Sequence, residues 1–208
     1  MGESADAMAI SAEQVKRLRA LTGAGMMDCK RALVEAGGDM SVAQDLLRRW
    51  GVASAAKRAG RAAAEGLVEA YVHMGRVGVL VEVNCETDFV ANTDEFRTLV
   101  RDLAMQIAAL DPWWVSREEV PEEVVERERK VYETQARDEN KPEGVISRIV
   151  EGKLDAFYKE RCLIEQVFFK DPEQKRPVGE LITELSAKVG EKIQVRRFVR
   201  YQRGEDQG

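Results

Sequence analysis

Apolar positions recur three and four apart over residues 10–51, and each run is bounded by residues that start or stop helices. Ser11-Ala12-Glu13-Gln14 has the form of a capping box, and Val15, Leu18 and Leu21 make the apolar stripe behind it. Thr22-Gly23-Ala24-Gly25 breaks this helix. A second, over residues 26–36, is expected to bury Met27, Cys29, Ala32 and Leu33 and to stop at Gly37-Gly38. Ser41-Val42-Ala43-Gln44 opens a third, with Leu46, Leu47 and Trp50 turned inward and Gly51 in the C′ position that closes it. A module this small is marginal alone, which suits a docking role. Residues 52–66, alanine-rich with Lys57, Arg58 and Arg61, read as a basic helical linker, a solvated connector rather than a phosphate-binding strip.

From Leu67 the pattern becomes extended. Residues 67–74 and 77–83 form a hairpin over Gly75-Arg76, and the β-branched, almost wholly apolar second run has the character of a buried strand. Asn92-Thr93-Asp94-Glu95 is a further capping box ahead of Phe96, Leu99, Val100, Leu103 and Ile107, which share one helical face until Asp111-Pro112 ends it. Trp113-Trp114 then packs half-buried beneath the helices that follow. Ser116 and Pro121 introduce a highly charged helix to about residue 140, whose sparse Val124, Val125, Val131 and Tyr132 imply a projecting arm with a thin buried stripe. Pro142 begins the return, Gly152 is expected to interrupt it, and Phe157, Tyr158, Leu163 and Ile164 lead back to the core. An extended apolar exit over residues 166–172, a helix over 178–189 stopped by Gly190, and an alternating strand over 193–201 complete the chain.

The fold class is α+β: an N-terminal three-helix domain, a linker, and a helix-rich core with a small antiparallel sheet and a helical hairpin arm over about residues 117–162. The division along the chain is a loose tail (1–9), the three-helix module (10–51), the linker (52–66), the core (67–202) and a second tail (203–208).

Composition narrows the chemistry. With 44% hydrophobic residues in 208, the chain can bury a core, and a formal charge of −5 supplies no global field for nucleic acid. Three widely spaced cysteines without a CxxC pair imply free thiols in a reducing compartment. The first residues lack the features of a secretion or transit signal, and no apolar run approaches the ~20 residues that span a bilayer, so a cytoplasmic location without membrane contact is expected. Gly23-x-Gly25 follows no strand and lacks a third glycine, and no Gly-Lys-Ser/Thr occurs, so no nucleotide-binding loop is present. His73 is the only histidine, and Cys85 has neither a glycine-rich elbow nor a base beside it. These absences favour a binding protein over an enzyme.

One stretch has no such plain reading. Asn84-Cys85-Glu86-Thr87-Asp88-Phe89-Val90 lies between the buried strand and the helix from Asp94, and it puts a phenylalanine on a connection. Phe89 either folds back as a local core staple or projects as a wedge; periodicity leaves both open.

Two long segments carry a resemblance to a known family. Leu21-Thr22-Gly23-Ala24-Gly25-Met26-Met27-Asp28-Cys29-Lys30 resembles the N-terminal signature of bacterial translation elongation factor Ts, and Val81-Glu82-Val83-Asn84-Cys85-Glu86-Thr87-Asp88-Phe89-Val90-Ala91 resembles its second. Ala55-Ala56-Lys57-Arg58-Ala59-Gly60-Arg61 is similar to the family's linker, and residues 163–171 to a C-terminal segment in which Val167 stands where a proline is usual. The resemblance implies a guanine-nucleotide exchange factor for the elongation factor Tu GTPase, with no catalytic site or cofactor of its own, acting on the GDP and Mg²⁺ its partner holds. It implies a ubiquitin-associated-like N-terminal domain that docks through Lys16, Arg19, Met26, Met27 and Lys30. In Thr87, Asp88, Phe89 and Val90 it implies a wedge whose Asp88 and Phe89 enter near the partner's Mg²⁺ and phosphate site while Thr87 and Val90 hold the turn. A single core subdomain, where longer members have two, implies a homodimer. Val199 offers no thiol, so a dimer through the last strand is noncovalent. The rival reading is a nucleic-acid or ribosome-associated adaptor using Lys57, Arg58, Arg61 and the tryptophan pair; direct nucleic-acid contact is not expected.

Overall fold

Ser11 caps α1 (Ala12–Thr22) reciprocally: its hydroxyl accepts from Gln14 N at 3.1 Å and Gln14 Oε1 accepts from Ser11 N at 2.9 Å. The computed structural model describes residues 10–205, so the expected tail over residues 1–9 and the last three residues lie outside the described part. Gly23, at φ 67°, closes α1, and α2 (Met26–Glu35) follows. Leu18, Cys29, Ala32, Leu33 and Ala43 are fully buried between α1, α2 and α3 (Met40–Arg58).

Four expectations for this module change. Met27 is 75% exposed, because two helical residues turn about 200° and the burial of Cys29 therefore carries Met27 to the opposite side. Leu21 is exposed as well, in the last turn of α1. The cap of α3 is Asp39, whose carboxylate accepts from Val42 N at 2.9 Å, which leaves Ser41 inside the first turn. Nor does Gly51 end α3. The helix passes through it to Arg58, since the helix-favouring Ala53, Ala55 and Ala56 and packing on a later helix outweigh the ~1 kcal/mol that an interior glycine costs. The boundary expected at residue 51 thus falls within one continuous helix.

The sheet is antiparallel in the order β1 (Glu65–His73), β2 (Val77–Cys85), β3 (Gln194–Gln202). β2 occupies the centre, as its apolar composition requires, with Val79, Val81, Val83 and Cys85 on the buried face. Met74 and Gly75, both at positive φ (50° and 66°), form the hairpin turn, and Arg76 N donates to His73 O at 2.9 Å. Gly66, at φ 144°, is obligatory: a Cβ there would lie 2.1 Å from Val83 O.

The buried face of the sheet packs on α5 (Asp94–Leu110), whose Phe96, Val100, Leu103, Ala104 and Ile107 are fully enclosed. Thr93, one residue beyond the expected Asn92, caps it by accepting from Phe96 N at 3.3 Å. α6 (Glu122–Asp138) and α7 (Glu143–Arg161) form the arm around a narrow strip of Ala136, Ile146, Val150 and Leu154. Gly152 does not interrupt α7, because Val150 and Leu154 on either side of it face α6 and keep the helix seated. Trp114 packs against Phe157 at the root of the arm, while Trp113 remains half-exposed beneath the Arg161 guanidinium at 4.1 Å. The return to the core is held by a buried amide pair. Gln106 Nε2 donates to Gln166 Oε1 and to Val167 O, both at 3.1 Å, and Gln106 Oε1 accepts from Phe169 N at 2.9 Å. Helix α8 (Val178–Val189) then lies along both α3 and α5, ends at Gly190 with φ 77°, and leads into β3.

Candidate functional site: an outward-facing turn and its scaffold

After β2 ends at Cys85 the chain bends at Glu86, and Thr87, itself extended, accepts from Val90 N through its hydroxyl at 3.4 Å and so starts a one-turn helix, α4 (Asp88–Ala91). A single turn separates its residues into two faces. Val90 and Ala91 enter the main core at 8% and 4% exposure, so Asp88 and Phe89 must point away from it. Phe89 is 82% exposed, which excludes the core-staple reading. Thr87 and Val90 hold the turn from within, whereas Asp88 and Phe89 are its free face.

The turn is gripped from the far end of the sequence. Glu191, just past α8, accepts from Glu86 N and Thr87 N through Oε2, each at 3.0 Å, and from the Thr87 hydroxyl through Oε1 at 2.6 Å. Glu86 answers by accepting from Lys192 N at 2.6 Å and from Arg61 at 3.3 Å. The Lys192 N–H, with the Arg61 guanidinium adding to it, holds the Glu86 carboxyl below the usual glutamate range. Sequence reasoning missed Glu191, because a lone glutamate after a helix-stopping glycine looks like any surface acid.

Cys85 donates to Thr87 O at 3.1 Å, and burial pushes its thiol pKa up, the opposite of what a nucleophile needs. His73 is exposed at the end of β1 with Nδ1 2.9 Å from Tyr71 Oη. Among the described residues no group of three or more His, Cys, Asp or Glu side chains could hold a metal ion.

The second set of candidate residues lies on the N-terminal module. Lys16 and Arg19 on α1 and Met26, Met27 and Lys30 on α2 are all exposed, and the two thioethers are 49% and 75% accessible at the start of their helix. Helix α8 links this surface to the outward turn. A Cβ at Gly23, between α1 and α2, would meet the Lys188 side chain at 3.2 Å, and Lys188 Nζ reaches Glu95 in the first turn of α5 at 2.7 Å. Arg58, expected in a solvated linker, is instead buried. It donates to Ser54 Oγ at 2.6 Å and to Ser186 O and Oγ at 3.2 and 3.3 Å, so the end of α3 is tied to α8. Of the residues an RNA-binding strip would need, Arg58 is enclosed and Trp114 is packed, and Arg61, although exposed, is paired with Glu86; Lys57 and Trp113 are accessible.

Comparison with known proteins bears on the family resemblance. Residues 53–176 match the family model described as Elongation factor TS. Elongation factor Ts of Thermoanaerobacter sp. (strain X514) is 60% identical over 197 residues, covering 94% of this chain and 96% of that protein. The chain belongs to the elongation factor Ts family. Elongation factor Ts of Caldanaerobacter subterraneus subsp. tengcongensis is likewise 60% identical, over 94% of this chain and 98% of its own length. That of Thermodesulfovibrio yellowstonii is 54% identical over 96% and 99%. As a member of this family the protein is a translation elongation factor. No helix among the described residues is long and apolar enough to cross a membrane.

Proposed function

We propose that the protein is a guanine-nucleotide exchange factor that binds elongation factor Tu in its GDP form, in the cytoplasm, and promotes GDP release by disturbing the Mg²⁺ and phosphate site. The observation that carries this reading is an 82% exposed Phe89 on a turn that is itself rigidly held. An exchange factor needs no catalytic residue or cofactor of its own. It must bind the nucleotide-free partner more tightly than the nucleotide-bound one, and linkage makes the weakening of nucleotide reciprocal. An aromatic side chain buries ~150–250 Å². At ~25 cal/mol/Å² that is at most roughly 4–6 kcal/mol, and at ~1.4 kcal/mol per decade half of it weakens nucleotide about a hundredfold. Insertion of Phe89, with Asp88 beside it to oppose phosphate and compete for the cation, is therefore large enough to offset lost Mg²⁺ and phosphate contacts. Measuring release of a fluorescent GDP from elongation factor Tu tests this: Phe89→Ala should lose most of the acceleration, and an undiminished rate would refute the wedge.

Docking is assigned to Lys16, Arg19, Met26, Met27 and Lys30, where adaptable thioethers sit among cations on an open helix end. Met27→Asp should weaken complex formation without unfolding the module, since the side chain is 75% exposed. Homodimerisation belongs to the same reading. The outer face of the sheet bears Val68, Val72, Leu80, Val199 and Tyr201, all exposed, and Leu80 lies directly opposite Val199 across β2 and β3. A contiguous apolar face of this kind suits an identical face of a second copy. Sedimentation equilibrium should give twice the chain mass for the wild type and the single mass for Leu80→Lys; a monomeric wild type would sink the dimer.

A further inference from the structure

We propose that Glu191 is a positioning residue for exchange: it orders the turn that aims Phe89, an inference that rests on the exchange reading above. Phe89 has almost no packing of its own, so its direction is set by the backbone beneath it. That backbone is set by one carboxylate. Oε2 of Glu191 takes the N–H groups of Glu86 and Thr87, which the sheet leaves behind as β2 ends, and Oε1 takes the Thr87 hydroxyl. Because the hydroxyl proton points at Glu191, an oxygen lone pair faces Val90 N, and Thr87 caps α4. The order of dependence runs from Glu191 to Thr87, from Thr87 to α4, and from α4 to the outward ring.

The grip is closed from the other side by Glu86, which accepts from Lys192 N, so residues 86–87 and 191–192 hold each other by two carboxylates. Without Glu191 the ring would still be present but would sample many directions, and the ordering cost would fall on the step in which it enters the partner. Docking, which is carried by α1 and α2, would not feel the change.

Stopped-flow release of a fluorescent GDP analogue from elongation factor Tu, over a range of concentrations of the full chain, separates the plateau rate from the half-saturating concentration. Glu191→Ala is expected to lower the plateau about tenfold, or ~1.4 kcal/mol, with half-saturation unchanged. Glu191→Gln should recover most of it, because its amide oxygen can take both N–H groups and its NH₂ can donate to Thr87 Oγ1. Val100→Ala, a core substitution within α5, serves as the control for lost stability and should keep the wild-type plateau below its melting temperature. A wild-type plateau for Glu191→Ala alongside a lost one for Phe89→Ala would overturn the positioning role, as would an equal loss in Val100→Ala. Full activity of Phe89→Ala would instead overturn the wedge, and the positioning role with it, whereas a wild-type chain that leaves GDP release unaccelerated would overturn the exchange reading itself.

Discussion

Replacing Arg58 with alanine should loosen the N-terminal module from the core. Arg58 is 7% exposed, and its guanidinium ties α3 to α8 through Ser186. A hydrogen bond to a charged group contributes about 1.5–3 kcal/mol net, but the full sum is not lost here. Ser186 O still accepts from Gly190 N at 3.0 Å, Ser186 Oγ still donates to Glu191 O at 2.5 Å, and Ser54, which loses its bond from Arg58, is only partly buried and can turn to water, so no acceptor is left buried without a partner. Relief of the buried charge offsets a further part. Adding the lost packing of the aliphatic stem gives a net destabilisation of about 2 kcal/mol. At ~2–4 °C per kcal/mol for a chain of this size, the melting temperature should fall by ~4–8 °C. Calorimetry should also show the module, marginal by itself, beginning to melt ahead of the core. Arg58→Met keeps the stem while removing the charge and should lie closer to wild type than alanine does. A change below about 0.5 kcal/mol in Arg58→Ala would refute the argument, since that is the range of an ordinary surface substitution.

Gly66→Ala places a Cβ against backbone at Val83 O and should destabilise by on the order of 3 kcal/mol or more, checked by urea unfolding; a neutral result would deny the close approach. Cys29, Cys85 and Cys162 are buried, and burial pushes the Cys162 thiol up to about 11, so a thiol reagent at neutral pH should react with the native chain very slowly and with all three after denaturation. The folded pKa of Glu86 is lowered, so its contribution is complete above the ordinary glutamate value of ~4.3 and is lost as pH falls through the lowered value. Wild type should therefore lose more thermal stability than Glu86→Gln as acid is added below that ordinary value, and parallel curves would count against the Lys192 contact.

Much of the fold was legible because its signals act over a few residues. The Ser11 capping box, the Phe96-to-Ile107 stripe, the stop at Gly190 and the extended run of β2 depend on neighbours within one or two turns, and the structure has each of them. Cap assignments at Asp39 and Thr93 moved by one or two residues, since adjacent residues of similar chemistry compete for the same orphan N–H groups. Both long signatures were legible as a family resemblance, although the pattern of residues alone left Phe89 undecided.

Tertiary packing decided the rest. Gly51 and Gly152 look like breaks until a second helix is laid along them, and Arg58 looks solvated until α8 is placed beside it. Phe89 faces outward because Val90 and Ala91 fill the core position beneath the turn, and the turn keeps its shape through Glu191, 104 residues away from Thr87. The sequence by itself determined the helices, the strands and the chemistry available. Which faces were buried, and which side chain was left free to reach a partner, depended on contacts between distant segments that no local pattern encodes.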